Sequence, residues 1–156
     1  MATWQNSDGL LVRFGTDIGA RGNKAGVTST LGKRKELVLT VSLPGLGANG
    51  TSYTADLNND GTLDGFSGLD AYIPSGAKII ECSVFASTAA AGGTNFQIGT
   101  YQVNGTVDDA DGLYTTLAAQ GAQVGTKLTA DRYVGVLVSG TYTAGVLEIR
   151  VVYETV

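Results

Sequence analysis

The chain of 156 residues contains no histidine at all. That removes Ser-His-Asp and Cys-His catalysis, His-ligated zinc and the commonest general base together. It holds one cysteine, Cys82, so no intramolecular disulfide forms and the fold does not rest on oxidation. Only 15% of the residues are charged and only two are proline. Scarce charge beside 23 glycines and abundant Thr and Val argues against a helical bundle, which needs Glu, Lys, Leu and Ala on its helices. Disorder is excluded as well, because 43% of the chain is hydrophobic and the net charge is only −4. No apolar run approaches the roughly 18 residues of a membrane helix, so no membrane partner is expected. Met1–Leu10 shows neither a basic start nor an apolar stretch, so no signal peptide is expected.

What is present reads as β structure. The length fits one domain, and such a domain buries roughly 68–70% of its unfolded surface without a staple. Glu36–Leu43 alternates, with Leu37, Leu39, Val41 and Leu43 on one face and Glu36, Thr40 and Ser42 on the other. That is the period of a half-buried strand, and Pro44-Gly45 ends it. Thr143–Tyr153 alternates in the same way, Leu147, Ile149, Val151 and Tyr153 against Glu148 and Arg150. Lys78–Ala86 sets Ile80, Cys82 and Val84 on one face and Ile79, Glu81, Ser83 and Phe85 on the other. Thr94–Val103 carries Phe96 and Ile98 opposite Asn95 and Gln97, and Asn104-Gly105 follows as a hairpin turn. Arg132–Ser139 is a continuous Val, Leu and Tyr run, as in a central strand.

One stretch breaks the pattern. Leu113 and Leu117 stand four apart, Asp residues precede them and Gly121 follows, which predicts one short helix near 109–120. The expectation is an all-β chain: a single antiparallel β-sandwich, jelly-roll-like or immunoglobulin-like. Residues 36–156 form its body, and residues 1–35 an extended N-terminal arm with one short strand.

The arm differs in charge from the body. Residues 1–35 carry six basic residues against Asp8 and Asp17, whereas residues 36–156 carry four against twelve acidic ones. Such asymmetry points to an arm with its own partner. An acidic body makes nucleic acid a poor partner, since phosphate affinity comes from clustered Lys and Arg. Trp4, Arg13, Phe14, Lys33 and Arg34 are the expected contact residues of the arm.

Asp56-Leu57-Asn58-Asn59-Asp60-Gly61-Thr62-Leu63-Asp64 carries oxygens at alternate positions, with a glycine at the sixth. Asp56, Asn58, Asp60 and Asp64 can converge on one hard cation, so the loop is a candidate calcium site similar to those of EF-hand and dockerin modules. It departs at the twelfth position, where Ser67 replaces the bidentate carboxylate and Asp70 is the nearby substitute. The alternative is a polar loop built of Asx turns. The remaining carboxylates, Asp108, Asp109 and Asp111, lie too close together for a glycosidase pair across a sugar cleft. No catalytic residue is expected.

Several segments together resemble the capsid decoration, or cement, proteins of tailed bacteriophages. They are Trp4–Leu10 with Val12–Gly15, Gly68–Ala77, Phe96–Gln102, Gly105–Leu113 and Tyr142–Val146. The resemblance spans most of the chain and rests on strand-and-turn patterns. It implies a β-sandwich added to the outside of the mature capsid, bridging neighbouring major capsid subunits, often as a trimer. The major capsid protein is then the partner, and the protein, made in the host cytoplasm, resides on the virion's outer surface. The competing readings are a carbohydrate-binding jelly-roll module with structural calcium, and a tail-associated virion protein. The glycan reading requires a cluster of exposed aromatics on one sheet face.

Overall fold

β5 (Arg34–Ser42) shows how the alternation works. Leu37, Leu39 and Val41 are fully buried while Val38, between them, is 37% exposed. β11 (Tyr142–Glu154) pairs with it antiparallel, setting Leu39 beside Ile149 and Leu37 beside Val151 on the inner face. On the outer face Glu36 meets Arg150, with Nε and Nη2 at 2.8 and 2.9 Å from the two carboxylate oxygens. Pro44 stands in the 3-10 turn, Leu43–Leu46, that ends β5. These coordinates are a computed structural model that describes residues 2–5, 11–14, 17–18, 23–29, 33–51, 71–115 and 121–155, the first four stretches as backbone path alone.

β7 (Lys78–Gly92) lies on the other side of β11. Cys82 and Val84 pack against the core, as their phase predicts. Ile79, expected outside, is fully buried. The ladder explains it: Val152 faces Glu81 but Tyr153 faces Ile79, so one extra residue on β7 inverts the phase.

The second sheet runs β6 (Tyr72–Ile73), β10 (Arg132–Ser139), β8 (Asn95–Tyr101), β9 (Val107–Thr115). β10 is paired on both sides and buries Val134, Val136 and Val138, which its continuous apolar run predicts. β8 and β9 meet through the Asn104-Gly105 turn. Gly105 has φ +88°, and its N–H donates to Gln102 O at 2.9 Å.

The strand order separates the two sandwich types. Residues 125–128 lie against the start of β7: Gly125 N–H donates to Ile79 O, Ile79 N–H to Thr126 O, and Leu128 N–H to Ala77 O, at 2.8–3.0 Å. With that segment the pairing is nested. β5 pairs with β11, β6 with β10, β7 with 125–128, and β8 with β9. A long hairpin folded over on itself gives this order, which is a jelly roll. In an immunoglobulin-type sandwich the first strand pairs with the second; here the body's first strand, β5, pairs with the last, β11. The two inner faces meet in one core that includes Leu39, Ile73, Ile79, Ile98, Val136 and Ile149.

Two expectations are corrected. The helix near 109–120 is absent over 109–115, where β9 runs instead. Residues 116–120 lie outside the described residues. Asp108 meets Arg132 and Thr100 across the sheet, and Leu113 is fully buried in the core. Gly121 N–H donates to Leu113 O at 2.9 Å, and a Cβ on Gly121 would strike the Gly112 backbone. The arm holds four strands where one was expected: β1 (Ala2–Gln5), β2 (Leu11–Phe14), β3 (Asp17–Ile18) and β4 (Asn23–Ser29). β4 pairs with β5 from Lys24 opposite Thr40 to Ser29 opposite Lys35, so the first sheet continues through the arm. Glycine such as Gly26 breaks side-chain periodicity without removing a backbone donor, and the outer edge of β5 supplies the ladder. Among the described residues no helix is long and apolar enough to cross a membrane.

Candidate interaction surface

The arm's expected contact residues fall in two places. Trp4 stands opposite Val12, Phe14 opposite Ala2 and Arg13 opposite Thr3, all in the β1–β2 ladder at the far end of the first sheet. Trp4 and Phe14 share one phase of that ladder and Arg13 the other. Lys33 and Arg34 are exposed at the beginning of β5, two strands further in. There Lys33 O accepts from the N–H of Thr155 at 2.8 Å, and Arg34 stands opposite Glu154. The chain's end is thus tied to the point where arm and body meet. Asp56, Asn58, Asp60 and Asp64 lie outside the described residues. Among the described residues no three His, Cys, Asp or Glu side chains converge to hold a metal.

The acidic residues of β9 serve the fold. Arg132 Nη2 donates to Asp108 Oδ1 at 2.8 Å. Its Nε lies 2.8 Å from Oδ2, in ion-pair contact but off the N–H axis. The Thr100 hydroxyl is 3.0 Å from Oδ2 and 2.9 Å from Gln123 Oε1, and its one proton goes to either. The Arg132 hydrogen bond holds the Asp108 carboxyl below the usual carboxylate range, with smaller help from Thr100 and Gln123. Asp109 moves upward: burial raises it first, then the hydrogen bond and charge of Asp111.

The two act in opposite directions on stability. A lowered folded pKa stabilises above the unfolded value and loses that effect as pH falls through the folded one. A raised pKa stabilises in acid and loses that effect as pH rises. Asp108→Asn is therefore expected to melt below the parent near neutral pH. The two curves converge on acidification below about pH 4, near the unfolded carboxyl value. Thermal unfolding followed across that range checks it; a gap constant with pH would show that the ion pair is not the cause.

Burial pushes the Cys82 thiol up to about 12, with a smaller push from Glu81, which disfavours its thiolate. Three of the seven tyrosines form one row. Tyr72, Tyr133 and Tyr101 stand side by side across β6, β10 and β8. Tyr72 and Tyr133 meet edge to face, 5.9 Å between centroids, and Tyr101 is buried at 1% exposure. The row packs on itself and offers no flat, open platform for a sugar ring.

One exposed apolar feature was only half legible in the sequence. Phe85 is 66% exposed on the outer face of β7, the face its phase predicts. With Glu36, Val38, Ser83, Glu148 and Arg150 it lines a shallow hollow of about 330 Å³. The hollow depends on β5, β11 and β7 lying side by side, and no local pattern announces that.

The chain matches no known protein family, no curated protein and no solved structure. Fold and surface define a jelly-roll sandwich whose larger sheet is broad, extended by its own N-terminal strands, and apolar near one edge.

Proposed function

We propose that the protein is a structural virion protein, without catalytic activity of its own, that binds the outside of a phage capsid. It stabilises the shell by bridging neighbouring major capsid subunits. The observation that carries this reading is the continuation of the first sheet through β4, β2 and β1 away from the sandwich. A protein that bridges subunits needs reach beyond its own core, and strands set beside one another give reach with directed backbone groups. The resemblance of the sequence to cement proteins supports the same conclusion. The arm's basic residues suit an acidic shell, and many modest contacts on one capsid act together.

The test is co-sedimentation of the full chain with expanded capsids of the matching phage. Saturable binding is expected, weakened at least tenfold by Trp4→Ala with Phe14→Ala, and weakened by added salt through Arg13, Lys33 and Arg34. No binding to such capsids would sink the reading.

A further inference from the structure

Phe85 and Glu148 stand directly opposite each other in the β7–β11 ladder. Directly opposite residues share a face, with Cβ atoms roughly 5 Å apart, so ring and carboxylate rise side by side from the outer face of the first sheet. In the next row of that face Arg150 stands between Ser83 and Val38, and Glu36 follows two residues along β5. These six residues line the hollow of about 330 Å³.

Their charges do not cancel. Arg150 is engaged by Glu36, with Nε and Nη2 at 2.8 and 2.9 Å from its carboxylate oxygens, and Glu81 acts on it from β7. Glu148 is exposed and has neither a hydrogen bond nor an ion pair among the described residues. Lys24 shares its row but stands two strands away, beyond Thr40, on the side away from Phe85. Two strand spacings put those backbones about 10 Å apart. Two carboxylates against one guanidinium thus leave the hollow with one negative charge in excess, beside a ring that is 66% exposed.

That combination selects its occupant. An apolar group entering here would take Glu148 out of water without a partner, which costs free energy, and an anion would be repelled. A cation answers both walls, because an aromatic face attracts positive charge within about 6 Å of its centroid. The hollow is shallow and at the lower limit of small-molecule sites, roughly 300–1,000 Å³, so it does not enclose a free ligand. It suits one side chain presented by a larger surface. Of the two basic side chains arginine fits better: its flat guanidinium stacks on a ring while its N–H groups donate to a carboxylate.

We propose that this hollow is the anchor site for an arginine side chain of a partner protein, stacked on Phe85 and hydrogen-bonded to Glu148. Val38 offers apolar surface to the arginine stem.

The site goes beyond the capsid reading, and the test uses the purified full chain without capsid. Amide NMR spectra of the labelled protein are followed at low salt as N-acetyl-arginine amide is added, beside its citrulline counterpart, which keeps the shape and loses the charge. Shifts are expected at Val38, Ser83, Phe85, Glu148 and Arg150, with a midpoint on the order of tens of millimolar. The citrulline compound leaves these amides in place. Glu148→Gln and Phe85→Leu each raise the midpoint at least threefold. Val107→Glu, which adds a negative charge at an exposed position of the other sheet, leaves it unchanged. Both test positions are exposed, and unchanged spectra away from the hollow verify that the variants stay folded. The proposal is overturned if arginine shifts no amide at the hollow, if citrulline shifts the same amides equally, or if both variants respond like the parent. Shifts centred on the acidic β9 would overturn it too, since they would report general attraction to negative charge. Failure to bind capsids would leave it standing.

Discussion

Gly99→Ala is expected to cost at least about 3 kcal/mol, beyond the usual range for one added methyl in a packed site. In thermal unfolding that is a fall of about 10 °C for a domain of this size. The reason lies in how β9 crosses β8. Ile98 pairs with Tyr114 and Thr100 with Asp109, so residues 110–113 of β9 all bulge out over Gly99. A Cβ on Gly99 would sit 1.9 Å from Asp109 O and within 2.5 Å of the Ala110 carbonyl. Those are backbone atoms, and no rotamer change relieves the overlap. Moving β9 outward would lift Leu113 from the core and pull Asp108 away from Arg132. Gly125→Ala is the control. Its φ of +89° makes alanine strained, but nothing lies within 4 Å of the added carbon. It is expected to cost only about 1–2 kcal/mol. Equal losses at the two positions would mean that the β9 crossing is not the close contact described.

The same crossing shows where sequence reasoning stops. Leu113 and Leu117, four apart behind several Asp residues, fit a helix by every local rule. What decides for a strand is distant in the chain: the bare backbone of Gly99, and Arg132, 24 residues beyond Asp108. β5 and β11 were legible because each keeps one face in solvent, so their side chains alternate. β10 was legible because a strand paired on both sides carries a continuous apolar run. The nested pairing had no local signal, since residues 125–128 join β7 through backbone groups alone. The arm's strands were missed for a related reason. β3 has two residues and β4 contains Gly26, so neither shows a side-chain period even though each pairs. At the candidate surface, Phe85's outward phase was readable from its neighbours Cys82 and Val84. That β7 lies next to β11, and that Ser83, Arg150 and Val38 share one hollow, comes only from the order β5, β11, β7.

Adjacent residues of β5 should respond to truncation in opposite ways. Leu39→Ala is expected to cost about 2–5 kcal/mol, because a fully buried Leu loses both its transfer free energy and the packing around it. Its neighbours make collapse of the cavity difficult. Leu39 is held between Leu37 and Val41 on its own strand, with Ile149 opposite, all buried to 1% exposure or less. Leu37 and Leu39 are held by a ladder on both sides, opposite Val27 and Ala25 of β4 as well as Val151 and Ile149 of β11. Val38→Ala removes two methyl groups from a side chain already 37% exposed, and should cost less than about 1 kcal/mol. Chemical denaturation of both variants separates the values, with the midpoint shifting for Leu39→Ala at unchanged slope. The expected signature is a lowered unfolding midpoint for Leu39→Ala and a nearly unchanged one for Val38→Ala, although the two side chains are neighbours in sequence. If Val38→Ala instead destabilised the domain as much as Leu39→Ala, the outer face of β5 would have to be covered in the folded domain and not open to solvent, as its exposure of 37% has it.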